Sequence, residues 1–114
     1  MVYQGVGLLI AASLMQGCAG FISPVGNIDP ALEVRLYREM MDGNVKKAME
    51  IQGDVNKIIN LWRGNASAPA PSIMKAVLEL MGVIHSYPCS PNPKITGQPL
   101  EKLRAELEKL GLAQ

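Results

Sequence analysis

The stretch GFISPVGNIDP, residues 20–30, decides how this chain is read. It contains Asp29, the first charged side chain in the sequence, and Pro30 follows at once. An Asp can accept hydrogen bonds from the free N–H groups of a helix start, and Pro fits the first helical turn, where its missing N–H costs nothing. The stretch therefore predicts a strand or loop feeding a helix, one step of an α/β layer. Everything before Asp29 lacks a charged side chain, so it is either buried on all sides or placed in a membrane. The choice between those two decides the function.

The residues before the stretch favour burial. Val2 to Gln4 read as the end of a short strand, stopped by Gly5 and Gly7, and Leu8 to Gln16 as a short buried helix closed by Gly17. Ala19 to Ser23 read as a second strand, a short apolar run between the breakers Gly17 and Pro24. Strand, helix and strand make one βαβ unit, in which each strand is apolar on both faces. A membrane span over residues 5–23 has the length, since about 20 apolar residues cross a bilayer. It is diluted by Gly5, Gly7, Ser13, Gln16, Gly17 and Gly20, and no Lys or Arg flanks it. Met15-Gln16-Gly17-Cys18 resembles a lipoprotein cleavage site, but a secretory signal needs a basic start, and Met1 to Gln4 carry no charged side chain. The expectation is a cytoplasmic protein with no membrane partner.

After the stretch the chain reads as helical. From Pro30, Leu32, Leu36 and Met40 stand four apart, joined by Tyr37 and Met41 on the same face, with Gly43 as the stop. A second helix starts near Asn44, with Val45, Ala48, Gln52, Val55, Ile59 and Trp62 in one stripe, and Gly64 ends it. Gly64 to Pro71 is a connector. Ser72 to Met81 form a third helix, apolar nearly all round, which predicts burial among others. Tyr87 to Pro99 hold four of the 8 prolines and predict an extended surface loop. A last helix from Pro99 carries Leu100, Leu103, Leu107 and Leu110, a seam too short for a coiled coil and read as a docking face.

The composition narrows the classes. The 114 residues suffice for one small domain of about 100–150 residues but not for a closed α/β barrel of about 250. Hydrophobic residues make up 48% and charged residues 18%, against a usual ~25% charged. That balance leaves more apolar surface than a chain of this size can bury. A net charge of +1 with no basic block, and only 4% aromatics, give no reason to expect nucleic acid. Cys18 and Cys89 lie far apart and read as reduced thiols.

At GFISPVGNIDP the sequence resembles the dihydrodipicolinate synthase / N-acetylneuraminate lyase family of pyruvate-dependent aldolases, through Gly20, Ile22, Ser23 and Asn27. The likeness continues through Asp42-Gly43-Asn44, Ala48 and Gln52, through Ser72-Ile73-Met74-Lys75-Ala76 with Gly82, and to Gly111-Leu112. It implies that the stretch is the eighth strand of a (β/α)8 barrel. This chain would then be the C-terminal fragment of such a TIM barrel, mostly α-helical with two short parallel strands. Residues 1–43 would be the last strand–helix–strand unit and the final barrel helix, and residues 44–114 a C-terminal helical domain. Three departures stand out: Gly26 where the family commonly has Ala, Val6 where an acidic residue often follows Gly5, and a chain that begins at the seventh strand.

The resemblance implies a reaction through a Schiff base between pyruvate, or another 2-oxo acid, and a lysine on the sixth strand. It also implies a proton-relaying tyrosine, a Gly-Thr-Thr type loop for the pyruvate carboxylate, and assembly as a homotetramer. The lysine, tyrosine and loop would all lie upstream of Met1, so no catalytic residue is expected here, and neither a metal nor a cofactor. The chain alone would be inactive. The residues agree, because a Schiff-base lysine must be neutral to attack and so needs desolvation or a neighbouring cation. Lys46, Lys47, Lys57, Lys102 and Lys109 fall on exposed helix faces and Lys94 in a loop. Lys75 alone has apolar neighbours, and Glu79 one turn on predicts a partly buried ion pair. The one functional residue carried over is Ile22, whose backbone carbonyl would line the pyruvate pocket while its side chain joins the core.

Weaker candidates read as structural. His85 has no carboxylate or Cys at metal-ligand spacing and reads as solvated or loop-capping. Gly5-Val6-Gly7 lacks the third glycine of a dinucleotide fingerprint, since residue 10 is Ile. Tyr3, Tyr37 and Tyr87 lack a basic partner in sequence and read as packing residues. A reading from another class is a non-catalytic helical module that associates with a partner; a lipoprotein is a third.

Overall fold

A computed structural model describes residues 1–65 and 68–113, so part of the connector expected over Gly64 to Pro71 lies outside the described residues. The chain divides into two compact units, Met1–Ile59 and Asn60–Gln114.

The first unit opens with the expected βαβ step. Strand β1 (Tyr3–Gln4) and strand β2 (Gly20–Phe21) pair in parallel, Tyr3 opposite Gly20 and Gln4 opposite Phe21. Between them the backbone makes a 3-10 turn at Gly7–Leu9 and then helix α1 (Ile10–Met15), which buries Ile10, Ala11, Ser13 and Leu14. A second 3-10 turn, Pro24–Asn27, follows β2 and was not expected. The Ser23 hydroxyl starts it by accepting from Val25 N at 3.2 Å. A Ser followed by Pro is a sufficient local signal for such a start.

Helix α2 (Pro30–Met41) begins as the Asp29-Pro30 pair requires, with Leu32 N donating to Asp29 Oδ1 at 3.0 Å. It ends at Gly43, which sits at φ 80°, a conformation open to Gly and strained for other residues. Asn44 N donates to Glu39 O at 2.8 Å and Gly43 N to Met40 O at 3.2 Å, the paired bonds of a Schellman stop. Leu32, Leu36 and Met40 are buried as expected. Tyr37 and Met41 are exposed, and Glu33 takes the buried place instead. A helix turns 100° per residue, so a neighbour at i+1 of a core position can fall on either side of the buried arc.

Helix α3 (Val45–Arg63) buries Ala48, Gln52, Val55 and Ile59 from the expected stripe. It also buries Ile51, Ile58 and Leu61, a wider arc than one stripe, while Val45 is exposed.

In the second unit, helix α4 (Ala70–Leu80) packs against helix α5 (Gln98–Lys109). α4 buries Ser72, Ile73, Ala76 and Val77, and the rest of the expected span to Met81 is half-buried, with no residue of it exposed. From α5, Leu103 and Leu107 are fully buried, with Leu100 and Leu110 half-buried at the ends of the seam. The segment between the two helices is irregular and is pinned by buried Ser86 and Ile95.

Candidate functional site

The ends of β1 and β2 lie side by side, and the loops leaving them form one rim. Gln4 organises its first half: its Nε2 donates to Ser13 Oγ at 2.7 Å, and its Oε1 accepts from Val6 N at 2.9 Å. Gly7 is tightly enclosed. A Cβ placed there would stand 2.9 Å from Ile59 Cδ1 and 3.1 Å from Ser23 Oγ, so a larger residue 7 would require both neighbours to shift.

Gln52 on α3 holds this rim from below. Its Nε2 donates to Gly7 O at 2.9 Å and to Asn56 Oδ1 at 2.9 Å, and its Oε1 accepts from Ala11 N at 2.9 Å. Leu9, which precedes α1, has no capping side chain, so Gln52 satisfies one of the free N–H groups at the start of α1. Sequence reading placed Gln52 on the buried stripe without assigning it this task. A buried Gln on an apolar stripe must find partners, and that was the available signal.

Ile22 sits just past β2, its N–H donating to Gln4 O at 2.9 Å. Its side chain is 76% exposed, which corrects the expectation that it joins the core. α1 packs on β2 and on α2, and α2 packs on the 3-10 turn that follows β2.

The lysines are exposed or meet a carboxylate or a carbonyl oxygen. Lys47 pairs with Glu39 at 2.6 Å and Lys57 with Asp54 at 2.7 Å, both exposed at the amine end. Lys47 and Asn44 hold the Glu39 carboxyl below the usual glutamate range. The ion pair expected between Lys75 and Glu79 is replaced. Lys75 Nζ donates to Tyr87 O at 3.0 Å, while Glu79 Oε1 accepts from Ser86 N at 3.0 Å and from Lys94 Nζ at 3.3 Å. The Ser86 N–H, and after it Lys94, pull the Glu79 carboxyl down. Lys94 also lies 5.3 Å from the centroid of the Tyr87 ring, so Tyr87 is an exposed cation–π partner and not a packing residue. The intervening loop folds back on α4, which brings together residues that a one-turn spacing rule cannot pair.

His85 is exposed, Cys18 is a half-buried free thiol and Cys89 an exposed one. Among the described residues, no three His, Cys, Asp or Glu side chains converge on a point where a metal could bind. No described helix is long and apolar enough to cross a membrane.

On α2 a groove of about 450 Å³ runs along Tyr3, Phe21, Gly26, Glu33, Val34 and Tyr37. Glu33 is 6% exposed. Burial pushes its carboxyl above the usual glutamate range, a Ser23 hydrogen bond draws it partly back, and the Asp29 charge raises it further.

A parallel strand–helix–strand step followed by a further helix, with loops gathered at the strand C-termini, is the repeating unit of a (β/α)8 barrel, whose chemistry collects at that end. The dihydrodipicolinate synthetase family model matches residues 1–110, and the chain belongs to that family. It is 33% identical to the 4-hydroxy-tetrahydrodipicolinate synthase of Methanopyrus kandleri, over 98% of this chain and 36% of that relative. Dihydrodipicolinate synthase from Thermotoga maritima superposes with a TM-score of 0.83 at 30% identity, over 98% of this chain and 37% of that one. The enzyme from Acinetobacter baumannii, solved with pyruvate, superposes at 0.82 over 97% of this chain and 37% of its own; at 22% identity that likeness concerns the fold alone. The chain thus has the fold of the C-terminal portion of a TIM barrel and spans a little over a third of the length of these relatives.

Proposed function

We propose that this chain is the C-terminal part of a Schiff-base-forming, pyruvate-dependent aldolase or lyase, either a 4-hydroxy-tetrahydrodipicolinate synthase or a related 2-oxo-acid lyase. Residues 1–43 supply the last barrel unit and residues 44–114 the helical domain beyond it. The observation that carries the reading is the family match over residues 1–110, on a chain whose strand-end rim is built and held while every lysine is either exposed or bound to a carbonyl or carboxylate. In the full enzyme the amine that attacks pyruvate comes from the sixth strand, and the carboxylate-binding loop also from the portion before these residues. The role of this chain is to close the pocket. The Ile22 carbonyl, at the C-terminal end of β2, faces pyruvate, and the Gln52–Gly7 bond fixes the neighbouring loop. The chain by itself forms no Schiff base. The full enzyme is a cytoplasmic homotetramer that uses no cofactor, with substrate selection resting mostly on residues upstream.

The test is the DNA upstream of Met1. An open frame joined to this one, encoding a strand with a lysine and a Gly-Thr-Thr loop before it, supports the reading. A stop codon immediately upstream, with no such segment encoded nearby, overturns it in favour of a non-catalytic helical module.

A further inference from the structure

The chain is anchored on both sides of the Ile22 carbonyl. Before it, the Ile22 N–H donates to Gln4 O at 2.9 Å. After it, the Ser23 hydroxyl accepts from Val25 N at 3.2 Å and so starts the turn Pro24–Asn27. Ser23 Oγ also lies 3.1 Å from the place a Cβ would take on Gly7, whose carbonyl Gln52 holds. A hydroxyl has a single hydrogen to donate, and that of Ser23 goes to the Glu33 carboxyl. Packing does not explain Glu33. Among the described residues it is the only charged side chain that is buried. Its Oε1 is buried with no hydrogen-bond partner, a cost that an apolar side chain would avoid. Room for it comes from Gly26, where a Cβ would lie 2.8 Å from Glu33 Oε2. Residues that break a local rule at a cost in stability collect at functional sites. What Glu33 does in return is hold Ser23.

We infer that Ser23, held by Glu33, is a positioning residue that sets the direction of the Ile22 carbonyl. This rests on the reading above, in which that carbonyl faces pyruvate. Ser23 and Glu33 both act through the Ile22–Ser23 peptide, the first by anchoring it and the second by fixing the anchor.

Ile22-Ser23 is the only Ile–Ser step in the sequence, so labelling isoleucine carbonyls with carbon-13 and serine with nitrogen-15 gives one nitrogen–carbonyl correlation. Magic-angle-spinning NMR reads it whether or not the chain associates. Glu33→Leu is expected to shift this signal, while Glu33→Gln, which keeps an acceptor oxygen, leaves it close to its natural position. Leu36→Ala weakens the same helix from its fully buried face and is expected to leave the signal in place. A signal unmoved by Glu33→Leu, or moved as far by Leu36→Ala, overturns the inference. The second readout is borohydride trapping of pyruvate in a mixture of the full chain with an upstream barrel portion. Ser23→Ala is expected to raise the pyruvate concentration for half-maximal trapping about tenfold, the effect of one hydrogen bond, without lowering the maximum. Ser23→Thr keeps the hydroxyl and is expected to restore the natural value. Trapping that ignores Ser23→Ala, or that Ser23→Thr does not rescue, sinks the inference alone. Absence of trapping with the natural chain sinks the enzyme reading and the inference with it.

Discussion

Gln52 and Ala11 are 41 residues apart in sequence and are joined by a 2.9 Å hydrogen bond from the Ala11 N–H to the Gln52 side-chain oxygen. The same amide donates to Gly7 O, so one buried side chain caps α1 and fixes the loop that precedes it. Replacing Gln52 with Ala or Leu leaves a backbone N–H and a C=O without these partners. Each such loss costs about 1–3 kcal/mol, so urea unfolding is expected to show a loss of about 2–6 kcal/mol. Gln52→Glu keeps the acceptor but loses the donor and is expected to fall between.

Gly26 and Glu33 are expected to reverse the sign of one substitution. Gly26 does not adopt a positive φ, so an Ala there is unstrained by its backbone. In a Glu33→Ala background, Gly26→Ala should stabilise by about 0.4–1 kcal/mol, through the reduced freedom of the unfolded chain. With Glu33 present it forces the carboxyl aside and should destabilise by about 1–3 kcal/mol. Equal effects in the two backgrounds would show that the residues are not coupled.

The raised Glu33 carboxyl gives a signed pH dependence. Folding favours the protonated form, so its stabilising contribution is complete below the unfolded value of about 4.3 and is lost as pH rises through the higher folded value. The stability of the natural chain relative to Glu33→Gln should therefore fall as pH is raised from about 4 towards neutrality. The subtraction removes the opposite contributions of Glu39 and Glu79, which are held low. A difference that is flat, or that rises with pH, contradicts the burial argument.

The N-terminal unit exposes Met1, Val2, Tyr3, Val6, Leu9, Met15 and Ile22. A leucine-sized side chain left in water forfeits about 1.5–3 kcal/mol of burial, against a total stability of about 5–15 kcal/mol. The chain is expected to keep its helical circular dichroism and to elute from size-exclusion chromatography above its 12.3 kDa monomer mass, increasingly so with concentration. A cooperatively melting monomer that protects residues 1–28 from protease is the opposing result.

What was legible in the sequence was local. Asp29-Pro30 announced the start of α2 because the cap bond spans three residues, and Gly43 announced its end because the stop needs a left-handed residue. The parallel strand pair was legible because two short apolar runs, bounded by Gly and Pro, flank a short apolar helix in a lead without charge. What stayed hidden depended on distant partners. Lys75 and Glu79 are one turn apart, yet each bonds to the returning loop instead, at Tyr87, Ser86 and Lys94. The Glu33 pocket needed Gly26 on the preceding turn, a departure visible in the sequence but without meaning until the two residues were placed together.

The central claim is that this chain completes a pyruvate-binding barrel without supplying the amine. The direct measurement is the intact mass of the 114-residue chain after incubation with pyruvate and borohydride, alone and mixed with a polypeptide carrying the upstream portion of the Methanopyrus kandleri relative. The expected result is no mass gain on this chain in either case, and a reduced pyruvate adduct on a lysine of the upstream polypeptide that forms only in the mixture. A stable adduct on any lysine of this chain would contradict the account.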